Sequence, residues 1–340
     1  MDMLTRSLRS GNDLEPGQVR EAVAALISEK SSDAEKTEFL RALHTKGESA
    51  AEIAALAQAL LEHAIRPEID PSRLPGPMLD VCGTGGDRQG FFNVSTAVMF
   101  VAAAAGACVV KHGNRSITSK TGAADVLEEL GVKIELAPAL LRQCLEENGV
   151  AFLFAPAWHP AFKAIAPVRK ALAAQGIPTV FNLLGPLLNP ARPNHQLVGV
   201  FNAGLLPKYA EALAILGRRR AWAVHGDGTD ELTLTGPSEV RALDAGSITA
   251  LTLTPEEFGL ARCTPDALRG GDRIENARIL TGILDGTERG PKRDMVLLNS
   301  AAAILVAGLA NNLESGLEVA RKAITCGAAL AKLRALQAFR

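Results

Sequence analysis

The stretch Asp80-Val81-Cys82-Gly83-Thr84-Gly85-Gly86-Asp87 constrains this chain more than any other. The residues around its start, Pro77, Met78, Leu79 and then Val81, predict a short buried strand. After it come Asn93-Val94-Ser95-Thr96 and a small-residue run from Ala97 to Gly106 that predicts a helix. The order is strand, glycine loop, polar cap, helix. Glycines let a backbone approach a ligand closely and turn its N–H groups toward it. A helix N-terminus adds unpaired N–H groups and the positive end of a dipole. Together they make an anion site, most often for phosphate. For the loop alone, a plain tight turn between strand and helix is the alternative.

The pattern returns further along. Ala107 to Val110 predicts a second strand running into Lys111-His112-Gly113-Asn114-Arg115-Ser116. Lys111 and Arg115 supply charge there, and Asn114 and Ser119 supply donors; a solvated basic turn is the alternative. Open α/β sheets bind ligands beyond the carboxyl ends of their strands, so two such turns can face one ligand. Asp125 to Gly131 predicts a helix with a glycine stop. Ala151 to Phe154 predicts a third strand, with His159 just past its end. Phe162, Ile165, Val168 and Leu172 then mark one helical face, flanked by Arg169. Pro178 to Pro190 has few polar residues and several prolines, which predicts a rigid connector. Strands are expected over Gln196 to Asn202 and Ala221 to Val224. The second leads to His225-Gly226-Asp227-Gly228-Thr229-Asp230-Glu231. Two adjacent carboxylates after a glycine turn suit magnesium held near phosphate; an exposed acidic turn is the alternative. Leu232 to Leu253 reads as β-rich, Glu275 to Gly282 and Met295 to Leu309 as helices, and Leu313 to Leu336 as one last long helix.

The first 65 residues read as helices, with Val19, Ala22, Val23 and Leu26 at helical spacing and no visible chemistry. A proline-rich linker, Pro67 to Pro77, follows. At 340 residues with 47% hydrophobic but 4% aromatic side chains, alanine, leucine and valine must fill the core. The net charge of −1 supplies no basic field for nucleic acid. No apolar run reaches the roughly 20 residues that span a membrane, and Met1 to Gly11 lacks the apolar centre of a secretory signal. Five cysteines without a C-x-x-C pair point to free thiols and a cytoplasmic location.

Taken together these stretches resemble the anthranilate phosphoribosyltransferase family. The resemblance is carried by Gly83-Thr84-Gly85-Gly86-Asp87, Asn93-Val94-Ser95-Thr96, Lys111-His112-Gly113-Asn114-Arg115-Ser116 and Gly122 to Gly131. It continues through His159-Pro160-Ala161, Val168-Arg169, Phe181 to Pro190 and Asp230-Glu231, nearly the whole chain in order. It implies an α/β fold: a small N-terminal helical domain plus a larger α/β domain with a mixed central sheet, as in nucleoside phosphorylases and phosphoribosyltransferases. Residues 1–70, joined by 160–190, would form the helical domain; 71–159 and 191–340 would form the α/β domain. The implied activity moves phosphoribose from phosphoribosyl pyrophosphate to the amine of anthranilate, in tryptophan biosynthesis. The resemblance also implies Mg2+ and a homodimer, with no nucleic-acid or membrane partner. A nucleoside phosphorylase of the same fold is the alternative; Asp230-Glu231 and the glycine loop favour the pyrophosphate user.

The resemblance assigns roles residue by residue. Gly83, Gly86, Asp87, Phe91, Asn93, Val94, Ser95 and Thr96 would line the pyrophosphate site. Lys111, His112, Gly113, Asn114, Arg115, Ser116, Ser119 and Ala123 would complete the phosphoribosyl site. Ser95, Asp230 and Glu231 would hold magnesium. Gly83, Asn114, Arg169, His112 and His159 would receive anthranilate. No acid–base pair is implied; Arg169 and Lys111 contribute by position and charge. The chain departs from the family pattern at Phe91 and Ala123, where hydroxyl residues are common, in extra residues between Leu172 and Gly176, and at Pro178, where an arginine is common.

Overall fold

Four helices open the chain: α1 (Asp2–Arg9), α2 (Pro16–Ile27), α3 (Asp33–Lys46) and α4 (Ala50–Glu62). Three have capping boxes, at Glu15/Gln18, Ser32/Glu35 and Ser49/Glu52, which satisfy N-terminal amides locally and fix where each begins. In this computed structural model residues 1–87, 89–116 and 121–340 are described. The α/β part follows as β1 (Met78–Gly83), α5 (Val94–Ala104), β2 (Cys108–Gly113), α6 (Ala123–Glu129), α7 (Pro138–Asn148) and β3 (Val150–Phe154). Short α8 (Ala155–Trp158), α9 (Ala166–Ala174) and α10 (Phe181–Leu184) lead to β4 (His195–Gly199), α11 (Leu206–Ile215) and β5 (Arg220–Gly226). An antiparallel hairpin, β6 (Ser238–Asp244) and β7 (Ser247–Leu253), precedes α12 (Arg273–Leu284), α13 (Pro291–Val306), α14 (Leu313–Thr325) and α15 (Ala328–Ala338).

The seven strands form one mixed sheet in the order β3-β2-β1-β4-β5-β6-β7. β1 to β5 are parallel, and β5, β6 and β7 pair antiparallel. The chain leaves β1 toward β2 and β3, then returns to the other side of β1 as β4. The crevice between the carboxyl ends of β1 and β4 is therefore a topological switch point, the place where such sheets bind ligands. Gly83 and Gly199 are register partners there.

Two buried clusters flank the sheet. The larger joins α5, α12, α13, α14 and α15 to β1, β2 and β3. The other joins the four N-terminal helices to Ile165, Val168, Leu172, Val180, Phe181, Leu184, Leu187 and Leu188, then runs on through α11 to one face of β4 and β5. The helical bundle thus has no closed core of its own; its apolar side continues into residues 165–188 and one side of the sheet.

Three expectations change. The last helix is broken: Gly327, at φ +77°, sits in the left-handed region between α14 and α15. The stretch around Arg169 is a 3-10 turn (Pro160–Ala164) followed by α9, not one helix. Lys111 and His112 are strand residues, not turn residues, because β2 runs to Gly113.

Candidate active site

The extension of β2 decides the geometry. Successive strand residues point to opposite faces. Lys111 turns toward α5, where its Nζ donates to Val81 O at 2.5 Å and to Ser95 Oγ at 3.1 Å. His112 turns the other way, to the 181–190 connector, with Nδ1 3.3 Å from Gly185 O.

On the Lys111 side, the glycine loop leaves β1 with Thr84 N–H donating to Gly199 O at 2.9 Å. Gly85 N–H donates to the Asp230 carboxylate at 2.7 Å. Thr229 Oγ1 donates to Asp87 at 2.8 Å. The glycines beneath are there because the Asp230-Glu231 segment lies on them. A Cβ on Gly83 would stand 2.2 Å from Asp230 Oδ2, on Gly199 1.5 Å from Asp230 O, and on Gly226 2.5 Å from Glu231 O. Asn299, buried in α13, pins the next residue by bonding Leu232 N–H and O at 3.0 and 2.7 Å.

The α5 N-terminus carries no side-chain cap. Its flanking residue, Asn93, is held elsewhere: Nδ2 donates to Thr121 O at 3.1 Å and Oδ1 accepts from Asn276 Nδ2 at 2.9 Å. The buried Thr96 hydroxyl has no hydrogen-bond partner among the described residues. The Ser95 amide faces Glu231. This end of the sheet therefore gathers a helix N-terminus without a side-chain cap, the glycine loop, Lys111 and three acidic side chains. Burial and the neighbouring Asp87 charge push the Asp230 carboxyl up to about 7. Burial and then Asp230 push Glu231 well above the carboxylate range. Hard oxygen donors of this kind suit magnesium. Among the described residues no group of three or more His, Cys, Asp or Glu side chains is arranged to hold a metal alone. The donor set thus fits an ion shared with phosphate oxygens, the usual situation for magnesium.

On the His112 side an aromatic ladder leads away from the strand. His112 and His159 meet edge to face at 5.2 Å, His159 stacks on Phe162 at 5.1 Å, and Phe162 meets Phe181 at 5.8 Å. Arg169 lies over the Phe181 ring at 5.0 Å. No carboxylate pairs with Arg169 among the described residues, and burial lowers its pKa. Burial, reinforced by His159, holds His112 down at about 3, and burial holds His159 at about 4, so both are neutral at pH 7. Gly185 O and Leu188 O can only accept, so His112 carries its proton on Nδ1 and His159 on Nε2, the latter bond being 2.9 Å. His112 Nε2 is a buried acceptor with no partner among the described residues.

The remaining sequence candidates are placed as follows. Gly113 packs against Phe152, whose ring a Cβ would touch at 2.8 Å. Asn114 bonds its neighbours, accepting from Arg115 N–H at 2.7 Å and, through its carbonyl, from Ala124 N–H at 3.2 Å. Arg115 turns to Glu128 and Asp125 on α6 and lies 5.4 Å from Phe154. Ser116 N–H donates to Asp125 at 3.1 Å. Gly86 is exposed in the loop, Val94 is buried and Phe91 bridges to Arg269. Ala123 begins α6. Ser119 lies outside the described residues. Sequence reasoning missed Gly199, Gly226, Asn276 and Asn299. Gly199 reads as the middle of the strand expected over 196–202 and Gly226 as part of the turn after 221–224, and the asparagines lie on helices without a motif.

Residues 3–64 match the model of a glycosyl transferase family, helical bundle domain, and residues 75–330 that of a glycosyl transferase family, a/b domain. An anthranilate phosphoribosyltransferase of Rubrobacter xylanophilus is 47% identical over 335 residues, covering 97% of this chain and 96% of the relative. That of Haloferax volcanii is 49% identical over 327 residues, covering 96% of each. The solved anthranilate phosphoribosyltransferase of Thermus thermophilus superposes with TM-score 0.92 at 41% identity, covering 99% of this chain and 98% of that one. The Saccharomyces cerevisiae enzyme solved in complex with PRPP and Mg gives 0.88 at 30% identity, covering 98% and 96%.

Proposed function

The chain belongs to the anthranilate phosphoribosyltransferase family, and from that premise we propose which of its residues carry the transfer. The reaction moves phosphoribose from phosphoribosyl pyrophosphate to the anthranilate amine and releases pyrophosphate. The observation that carries the assignment is the Asp230-Glu231 segment seated on the glycine loop beside an uncapped α5. Gly83, Gly86, Asp87, Asn93, Val94, Ser95 and Thr96 line the pyrophosphate. Lys111 to Ser116, with Ser119, surround the phosphoribosyl part. Phe91 and Ala123, where the family often has hydroxyls, contact the donor by shape alone. Asp230, Glu231 and Ser95 hold Mg2+. When bound, the ion neutralises charge that builds on the leaving pyrophosphate.

The protein's own part is position and charge. The positive end of the α5 dipole faces the developing negative charge. Lys111 is fixed by Val81 O and Ser95 and adds a cation that needs no reorganisation. Arg169, without a carboxylate partner among the described residues, takes the anthranilate carboxylate with its planar fork. His112, with a bare Nε2, faces the amine, and His159 braces it through the edge-to-face contact. Asn114 and Gly83 complete that pocket. An aromatic amine is uncharged at neutral pH, so positioning does most of the work.

The family resemblance extends the proposal to a homodimer in the cytoplasm and to a helical domain of 1–70 with 160–190 against an α/β domain of 71–159 and 191–340. Cluster membership of residues 165–188 supports the second point. No described helix is long and apolar enough to cross a membrane. The test is anthranilate fluorescence during incubation with phosphoribosyl pyrophosphate, with magnesium or chelator. Fluorescence loss that needs both donor and magnesium is expected. Loss without the donor, or none with folded protein, refutes the assignment.

A further inference from the structure

We infer that Asn276 is a positioning residue of the donor site: it holds the Asn93 side chain away from the α5 N-terminus and ties together the segments that receive phosphoribosyl pyrophosphate. This deepens the proposed donor site and rests on it. Asn276 lies in the first turn of α12 and is buried. Its amide belongs to a closed ring of four hydrogen bonds. Asn276 Nδ2 donates to Asn93 Oδ1 at 2.9 Å, and Asn93 Nδ2 donates to Thr121 O at 3.1 Å. Thr121 Oγ1 donates to Gly271 O at 3.1 Å, and Gly271 N–H donates back to Asn276 Oδ1 at 2.8 Å. A backbone carbonyl can only accept and a backbone N–H can only donate, so each of the two side-chain amides has one orientation. The ring joins the segments that lead into α5, α6 and α12.

Close packing keeps the ring in place. Gly270 N–H donates to Gly90 O at 3.0 Å, and Phe92 N–H donates to Leu268 O at 3.3 Å. A Cβ on Gly270 would stand 2.6 Å from Asn276 Oδ1 and 2.8 Å from Phe92 Cα, so a glycine is needed where these segments cross. The consequence falls on α5. Asparagine is among the strongest N-cap residues, because its side-chain oxygen accepts from the second or third helical amide. Asn93 stands at that position, yet α5 has no side-chain cap, since Oδ1 is turned to Asn276 instead. With Asn276 removed, Asn93 Oδ1 is free to turn back onto the Thr96 amide, where it competes with a donor phosphate for the helix end. The same turn withdraws Asn93 Nδ2 from Thr121 O and loosens the segment after β2 from the segment after β1.

The experiment is calorimetric titration of phosphoribosyl pyrophosphate with magnesium into the full chain, paired with the anthranilate KM from initial rates at saturating donor. Wild type, Asn276→Ala and, as a control for general loss of stability, Asn312→Ala are compared; Asn312 caps α14, its Oδ1 accepting from Ser315 N–H at 2.9 Å. Asn276→Ala should weaken donor binding about fivefold or more, the worth of a typical N-cap now set against the ligand. Its anthranilate KM should stay within about twofold of wild type. Asn312→Ala should lower the melting temperature and leave donor affinity within about twofold. Donor affinity in Asn276→Ala that changes by less than about twofold overturns the inference. An equal rise in the anthranilate KM, or equal weakening in Asn312→Ala, overturns it too. If Asn276→Ala does not fold, the near-isosteric Thr121→Val decides: it opens the ring at Gly271 O, and donor binding should weaken about threefold, the worth of one hydrogen bond. If wild type does not bind the donor with magnesium, the site assignment itself falls, and the inference with it.

Discussion

Arg169 offers the sharpest check on the acceptor side. Its guanidinium rests on Phe181 at 5.0 Å, is half-buried, and has no carboxylate partner among the described residues. A cation so placed contributes little to folding, because burial opposes its charge and lowers its pKa. On the proposed assignment its ion-pair partner is the anthranilate carboxylate. Hydrogen bonds to charged groups contribute about 1.5–3 kcal/mol, and 1.36 kcal/mol is a factor of ten. Arg169→Met keeps the apolar stem and loses the fork. Its KM for anthranilate should therefore rise about 10- to 150-fold, with the KM for phosphoribosyl pyrophosphate within about twofold. The melting temperature should hold or rise slightly. Arg169→Lys keeps charge without the planar fork and should recover only part of the loss. The assay is initial-rate fluorescence at varied anthranilate with saturating donor, then the reverse. Equal rises in both KM values, or a large drop in melting temperature, would refute the reasoning.

Two other outcomes follow from geometry. Gly199→Ala puts a methyl group 1.5 Å from a backbone oxygen, whereas Gly83→Ala meets the movable Asp230 carboxylate at 2.2 Å. The first should destabilise by about 3 kcal/mol or more and the second by about 1 kcal/mol, while Gly83→Ala shifts the magnesium titration; equal melting losses would count against this packing. For His112 and His159, whose folded pKa values are depressed to about 3 and about 4, stability is present above the unfolded value near 6.5 and lost as pH falls below it. Asp230, raised to about 7, pulls the opposite way, so the measurement is a difference between proteins. Relative to wild type, His112→Asn/His159→Gln should flatten the loss between pH 6.5 and 4 by up to about 1.4 kcal/mol per histidine per pH unit, read from urea unfolding; parallel curves would disprove neutral burial.

Much of this was legible because it is local. The glycine loop, α5 and the capping boxes of α3 and α4 each follow from residues within a few positions of one another. What stayed hidden depends on distant partners. Lys111 and His112 look like turn residues until the pairing with β3 extends β2 to Gly113 and sends them to opposite faces. Arg115 gives no sign in the pattern of the acids it pairs with, Asp125 and Glu128, which lie one helix later. Gly199 and Gly226 give no sign that a segment from residues 230–231 will lie across them. Gly327 is flanked by so many small helix formers that its left-handed break is invisible in the pattern.

The connector was expected to be rigid, and its backbone carbonyls explain why. Tyr209 OH donates to Leu183 O at 2.8 Å, His112 holds Gly185 O, Gln196 donates to Pro186 O at 2.7 Å, and His159 holds Leu188 O. Asn189 closes the series, donating to Val110 O at 2.8 Å and to Asp80 at 3.0 Å. Asp80 is fully buried, and burial raises its pKa against the pull of Lys111, Asn189 and the His112 amide. Asn189→Asp changes one atom and turns that donor into a second carboxylate. Two buried carboxylates at this distance share one proton, so the folded variant gains a raised pKa. A raised folded pKa gives stability that is full below the unfolded value near 4 and is lost as pH rises through the folded value. The variant should therefore lie closest to wild type at pH 5 and fall behind by about 3 kcal/mol or more at pH 8, as measured by urea unfolding across that range. A deficit that does not grow with pH would mean that Asp80 and Asn189 are not in contact.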